Sequence, residues 1–323
     1  MTNNKHHGNL PVLPLTIVCL LILTLVLLAF GSRRSHDDYA TPHTERLTDT
    51  LTRFIQRLPG QVGVAVIING RDTVTVNNED IYPMMSVFKL HQAIALCRDP
   101  ERQGLSLDSI LVIRKDQLDT TTWSPMLKDY KDPVIRLSVR QLLRYSLTQS
   151  DNNASNFLFR HLVSTTRTDS LIAAVIPRQS FRIVYTEAQM KERHERAYDN
   201  QTSPLGAAML IDRLFSDSLM VPARQTFIKN TLAECVTGND RLAVPVLEIP
   251  GATIAHKTGS GYITTSGLLM AHNDVAYICL PNGTHYSIAV FVKDFDGSEQ
   301  EASKVIAHLS SIVCDALNGP YKE

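Results

Sequence analysis

The sequence predicts an α+β protein: an antiparallel five-stranded sheet flanked by terminal helices, beside an all-α lobe. Three observations predict it. Strand patterns occur near both ends of the globular part, the long middle carries helical periodicity, and a helical segment borders the strands at each end.

Taken in order, residues 44–58 place Leu47, Leu51, Phe54, Ile55 and Leu58 at helical spacing, and Pro59-Gly60 stops the helix. Residues 62–68 form a β-rich run. Asn69-Gly70 and the strand Thr73-Val74-Thr75-Val76 follow, a hairpin signature. From Ser86 to Cys235 helical segments cover residues 87–96, 139–147, 154–163, 203–215 and 223–232. A long polar loop spans 181–202, and loops of that length inside a domain are often functional. Strands return at 253–255, 267–272, 275–280 and 287–292, and a last helix covers 299–317. The implied organisation is an N-terminal segment 1–32, a discontinuous α/β lobe from 33–84 and 236–323, and the helical lobe 85–235, with an active site between the lobes.

The chain has 323 residues, 44% hydrophobic and 20% charged, and a formal net charge of +0. Neutrality gives no electrostatic case for nucleic acid as a partner, and no phosphate-binding glycine loop is present. The N-terminus stands apart. Lys5 and His6-His7 precede an apolar run at 10–30, followed by Gly31-Ser32 and Arg33-Arg34. This reads as an export signal, either cleaved at Ala29-Phe30-Gly31 or kept as an anchor, since the run approaches membrane-spanning length. A periplasmic monomer is expected, with membrane contact only through that segment if it is uncleaved. Cys19 follows Val18 rather than a small residue, which argues against lipid attachment. Cys97, Cys235, Cys279 and Cys314 remain. Four cysteines allow three pairings, their spacing lacks a zinc pattern, and buried unpaired thiols are the favoured expectation.

The chemistry concentrates in three motifs. Ser86-Val87-Phe88-Lys89 sets a hydroxyl and an amine three residues apart on one helix face, where Tyr82-Pro83 gives way to a helical pattern. A serine beside a base can form a covalent acyl intermediate. Ser150-Asp151-Asn152 is a good helix-cap sequence, and it also supplies a second hydroxyl and an amide that can bind a substrate carbonyl. His256-Lys257-Thr258-Gly259-Ser260-Gly261 lies on a strand. Its glycines suggest close approach to the backbone, and Lys257, Thr258 and the Ser260 N–H can meet a carboxylate.

In this order the three motifs resemble those of the class A serine β-lactamases, within the wider family of penicillin-recognising enzymes. The resemblance runs from about Arg33 onward and is nearest to the cephalosporinase and extended-spectrum branch of Bacteroides-type bacteria. It implies Ser86 as nucleophile and Lys89 as its amine partner. Ser150 would pass a proton to the departing lactam nitrogen, Asn152 would hold the substrate side chain, and Lys257, Thr258, Gly259 and Ser260 would form the carboxylate-binding strand. The backbone N–H groups of Ser86 and Ser260 would form the oxyanion hole. Trp123-Ser124-Pro125 resembles a segment whose ring walls the cleft; a core tryptophan is the competing reading. Thr237-Gly238-Asn239-Asp240-Arg241 resembles a segment that brings an arginine under the K-T-G strand. The implied ligand is a small β-lactam, with no cofactor and no metal.

Class A enzymes deacylate with a loop glutamate. Among Glu187, Glu192 and Glu195, Glu187 fits best, 37 residues after Ser150 and 13 before Asn200. Two departures stand out. The Arg–Asp pair that commonly braces this loop is replaced by Tyr185 and Asn200, and the water-holding asparagine by Lys191. An ammonium there would keep Glu187 ionised, replace one hydrogen bond to the water, or point outward. Either Lys89 or Glu187, the latter through water, can take the Ser86 proton. Two alternatives to a hydrolase exist: a D,D-peptidase or transpeptidase, which lacks the loop glutamate, and a sensor that is acylated without turnover.

Overall fold

The structure, a computed structural model, describes residues 42–319. The apolar run, Cys19 and the expected cleavage site lie outside the described residues. Among those described, no helix is long and apolar enough to cross a membrane.

Helix α1 (Pro42–Ile55) leads into β1 (Gln61–Ile68) and β2 (Asp72–Val76). In the three-residue connection Asn69 and Gly70 have φ of +50° and +66°, a left-handed pair closed by the Arg71 N–H bonding to the Ile68 carbonyl. Three long strands complete the sheet: β3 (Thr253–Ser260), β4 (Leu269–Cys279) and β5 (His285–Phe295). The order is β2-β1-β5-β4-β3, antiparallel throughout, with Val64 opposite Val290 and Lys257 opposite Val275. Sequence patterning splits β4 in two at Asn273-Asp274, yet the strand is continuous. Both polar side chains are buried and partnered: the Asn273 amide donates to the carbonyls of Pro83 (2.8 Å) and Met84 (3.2 Å), and Asp274 pairs with His256.

Period-two alternation sorts the sheet between two cores. Val62, Val64, Val66 and Ile68 of β1 join Tyr286, Ile288, Val290 and Val292 of β5 on one face. Leu47 and Leu51 of α1 pack there, with Ile306, Leu309 and Val313 of the C-terminal helix Glu299–Asn318. Ala65, Ile67, Ala289 and Phe291 face the helical region on the other side. Each fully buried Val, Ile or Leu contributes roughly 1.5–3 kcal/mol, so the two faces together fix the register on which the site depends.

The helical region is not purely helical. Ile110–Arg114 and Val134–Ser138 form a two-stranded antiparallel sheet, and Tyr82–Pro83 pairs with Gln201–Thr202 in a small sheet. The stretch 181–202 holds a capped helix, Glu187–Glu192, and a 3-10 segment, His194–Asp199. All four cysteines within the described residues are unpaired, but Cys279 is exposed rather than buried, because it ends β4.

Candidate active site

Met85–Val87 forms a single 3-10 turn that runs into the helix Phe88–Arg98. Met85 is buried with φ of +46°, a costly conformation for a long side chain that its surroundings must hold. That turn aims the Ser86 hydroxyl into the cleft and puts Lys89 one turn below it. Strand β3 passes directly against the turn. A Cβ on Gly259 would lie 2.5 Å from the Met84 carbonyl oxygen and 3.2 Å from the Ser86 nitrogen, so only glycine allows this approach.

Lys89 is fully buried, and its ammonium is the hub of the site. Its three N–H donors are shared among Glu187 Oε1 (2.5 Å), Ser86 Oγ (2.6 Å), Asn152 Oδ1 (2.7 Å) and the Ser150 carbonyl (3.1 Å). Burial works against its charge and lowers its pKa, while the Glu187 carboxylate pulls the other way. Ser86 Oγ donates to Glu187 Oε1 at 2.7 Å. An ammonium has no lone pair, so the acceptor that meets the serine proton here is the carboxylate.

Ser150 sits between two helices with φ of +57°, a left-handed residue that turns its hydroxyl toward both lysines. Its Oγ accepts from Lys257 at 3.0 Å and lies 3.5 Å from Lys89 Nζ. The next residue, Asp151, caps the helix Asn152–His161 by accepting from the Ala154 N–H (2.8 Å), and it takes further bonds from Ser124 and Met126. The cap-sequence reading of Ser150-Asp151-Asn152 therefore holds, and the same segment sets Ser150 and Asn152 at the cleft. That helix spends its polar N-terminal residues on the site. Asn152 bridges Lys89 and Thr122, Asn153 holds both backbone groups of Asp119, and Asn156 accepts from the Ala188 N–H.

A capping box places Glu187 at the start of its helix: Thr186 accepts from the Gln189 N–H, and Gln189 accepts from the Thr186 N–H. Asn200 replaces the missing ion pair of the loop. Its buried amide accepts from the N–H groups of Val184 and Tyr185 (2.8 Å each) and donates to the Tyr185 carbonyl (2.7 Å). Its backbone carbonyl accepts from the Met84 N–H, tying the loop to the turn that carries Ser86. Asn200→Ala is expected to lose about 1–3 kcal/mol for each backbone group left unpaired, read as a lowered urea midpoint together with slowed turnover. Lys191 does not meet Glu187. It turns to Asp119 (2.5 Å) and the Thr121 hydroxyl, latching the glutamate-bearing helix to the opposite loop.

Lys257 is fully buried, and burial pushes its pKa down to about 7. Thr258 exchanges a hydrogen bond with Thr237 at 2.7 Å. Arg241 is buried under the strand and donates to the carbonyls of Asn273 (2.7 Å) and Gly259 (3.2 Å) and to Ser260 Oγ (2.7 Å). Because the Gly261 N–H bonds to Ala271, antiparallel alternation points the Ser260 N–H away from β4, toward the open edge of the sheet. Trp123 is 55% exposed and so is no core residue. Its indole N–H bonds to the Gln149 carbonyl, and its ring lines the cleft.

The cleft holds about 570 Å³, enough for a drug-sized ligand. Ser86, Ser150, Asn152, Glu187, Thr258 and Ser260 line it, with Arg241 at the rear. Sequence patterning missed Thr121, Thr122, His194, Tyr262 and Glu299. His194 and Tyr262 stack at 3.7 Å and 2°, a pairing across the cleft wall with no local signature in the chain.

The "Beta-lactamase enzyme family" matches residues 46–317. The chain belongs to that family. A β-lactamase of Phocaeicola vulgatus is 56% identical over 306 residues, 95% of each chain. One of Bacteroides uniformis is 32% identical over 79% of this chain and 86% of the relative. Among solved structures, a class A β-lactamase from Bacteroides cellulosilyticus superposes with a TM-score of 0.80 at 28% identity, covering 86% of this chain and 99% of that one. The TLA-3 extended-spectrum β-lactamase gives 0.80 at 30%, covering 85% and 99%. This β-lactamase is therefore of class A, a hydrolase of β-lactams whose activity confers resistance to them.

Proposed function

We propose that this β-lactamase hydrolyses cephalosporins preferentially, through an acyl-Ser86 intermediate that Glu187 helps water to cleave. One observation carries the reading: Glu187 Oε1 lies 2.7 Å from Ser86 Oγ and 2.5 Å from Lys89 Nζ. Ser86 Oγ attacks the lactam carbonyl carbon and passes its proton to Glu187. The oxyanion is held between the N–H groups of Ser86 and Ser260. As the C–N bond breaks, Ser150 protonates the nitrogen and is resupplied by Lys89, which takes up the proton held by Glu187 and leaves that carboxylate ionised. Lys257, Thr258 and Ser260 bind the substrate carboxylate, and Asn152 binds the side-chain amide. Once acylated, Ser86 no longer donates to Glu187, which is then free to take a proton from water. That water attacks the ester, and the proton returns to Ser86. One amide bond is broken and one water consumed.

Ser260 after K-T-G and the extended-spectrum relative support the cephalosporin preference. Met85 and Gly261 stand where the resembled carbapenem-hydrolysing enzymes carry cysteines, so imipenem is expected to be a poor substrate. The test is a kcat/KM panel. A cephalosporin should exceed imipenem by on the order of tenfold or more, and efficient imipenem turnover refutes the preference. Because a carboxylate activates the water, EDTA treatment is expected to leave the rate unchanged. A D,D-peptidase or sensor would instead keep a persistent adduct when intact mass is followed over time. We also propose export to the periplasm as a monomer, on the strength of the N-terminal apolar run. Cell fractionation and sizing of the purified protein test this; cytoplasmic retention contradicts it.

A further inference from the structure

Asn273 stands in the middle of β4, fully buried, at a place where an apolar side chain would fill the sheet without the cost of burying an amide. Its Nδ2 donates to the carbonyls of Pro83 (2.8 Å) and Met84 (3.2 Å), and its Oδ1 accepts from the Val292 N–H (3.3 Å). The reverse orientation would set an oxygen against two carbonyl oxygens, so the amide fits only one way round. Gly259 is the cross-strand partner of Asn273, and such partners share a face of the sheet. With no side chain at Gly259, the amide reaches past it to the turn that carries Ser86. Arg241 fixes the backbone of the same pair by donating to both carbonyls.

We propose, on the acyl-Ser86 reading of the site, that Asn273 is a positioning residue: it locks the Met84–Met85 peptide so that the Ser86 N–H keeps its place in the oxyanion hole.

The lock acts next to a strained residue. Met85 has φ of +46°, a value that a side chain other than glycine's adopts at a cost. Rotating the Met84–Met85 peptide would return that φ to the ordinary negative region. The same rotation would swing the Met84 carbonyl away from Asn273 and from the Val87 N–H, which donates to it at 3.1 Å. In the preceding peptide, the Pro83 carbonyl is held by Asn273 and the Met84 N–H by the Asn200 carbonyl, at 2.8 Å each. The peptide units on both sides of Met84 are thus tied, to the sheet by Asn273 and to the loop by Asn200. The Met85–Ser86 peptide follows them, and with it the direction of the Ser86 N–H. An oxyanion donor is effective when it is aimed at the developing charge before the reaction begins. Without the amide, the Met84 carbonyl keeps the Val87 N–H and loses its tie to the sheet.

The test compares Asn273→Leu, which keeps the volume, and Asn273→Ala with wild type. Stopped-flow acylation by a cephalosporin gives the acylation rate constant and Ks, and phenylboronic acid gives a Ki. A boronate adduct on Ser86 is tetrahedral and places an oxygen in the oxyanion hole, so its affinity reads the alignment of the donors. The acylation rate constant is expected to fall by on the order of 10²-fold and the Ki to rise by a like factor, while Ks stays within about threefold. Met85→Gly removes the strain, and in the Asn273→Ala background it should recover about tenfold of the acylation rate; no recovery overturns the lock. A residue that merely supports the fold would lower the urea midpoint and leave acylation per folded enzyme unchanged, and that result overturns the proposal. Wild-type affinity for the boronic acid, or a Ks that rises as far as the rate falls, overturns it as well. Failure of both variants to fold also counts against it, since Asn273 would then serve folding. Wild type with no adduct on Ser86 would sink the acyl-enzyme reading itself, whereas normal acylation in wild type and variants alike sinks only the role of Asn273.

Discussion

Glu187→Ala is expected to hydrolyse a chromogenic cephalosporin about 10²–10⁴-fold more slowly than wild type, the range for loss of a positioned general base. The argument rests on one oxygen. Glu187 Oε1 is the acceptor for the Ser86 proton at 2.7 Å, and Lys89 fixes it there at 2.5 Å. With the carboxylate gone, burial favours the neutral amine of Lys89, 2.6 Å from Ser86, which can then take the serine proton, so attack on the lactam is slowed less than hydrolysis of the ester. Stopped-flow absorbance should therefore show one rapid equivalent of product per enzyme and then a slow phase. The helix itself should survive, because its capping box uses Thr186 and Gln189 rather than Glu187. Steady hydrolysis at the wild-type rate would remove Glu187 from the mechanism.

Lys89→Met is expected to harm both chemistry and stability. The substitution keeps the length of the side chain and removes the charge shared by Glu187, Ser86, Asn152 and the Ser150 carbonyl. Glu187, only 5% exposed, is then a buried carboxylate without its cation, and Asn152 Oδ1 loses its donor. Breaking one partner out of a buried pair costs about 3–5 kcal/mol. The urea midpoint should fall accordingly, and kcat/KM should fall by on the order of 10²–10⁴. A wild-type midpoint with wild-type kinetics would show that Lys89 is only a space-filling side chain.

The sequence carries the chemistry more clearly than the geometry that supports it, for a physical reason. Ser86 with Lys89, Ser150 with Asn152 and Lys257 with Thr258 are local motifs, each set by one turn or one strand, so spacing alone places them. Asn200 was legible only as a missing aspartate. That its amide binds three backbone groups follows from the fold of the loop, not from its neighbours in sequence. Lys191 was placed near Glu187 by counting along the chain, yet it reaches Asp119, which Asn153 holds from another helix. The His194–Tyr262 stack joins segments that no periodicity connects. The strand Ile110–Arg114 did leave a signal in its branched apolar run. Ile110 and Val112 are nonetheless 60% and 58% exposed, so the pattern gives no sign of which face is buried. The sheet is most legible in β1 and the centre of β5, where both faces are buried and the strand reads as a continuous apolar run, whereas the buried polar residues of β3 and β4 break the pattern.

The most direct test of the account is intact mass spectrometry of Glu187→Ala mixed with a cephalosporin, followed until wild type has returned to its free mass. The account predicts one covalent adduct, mapped to the peptide that carries Ser86, persisting in the variant and transient in wild type. An adduct that clears as fast as in wild type, or no adduct on Ser86 at all, would contradict it.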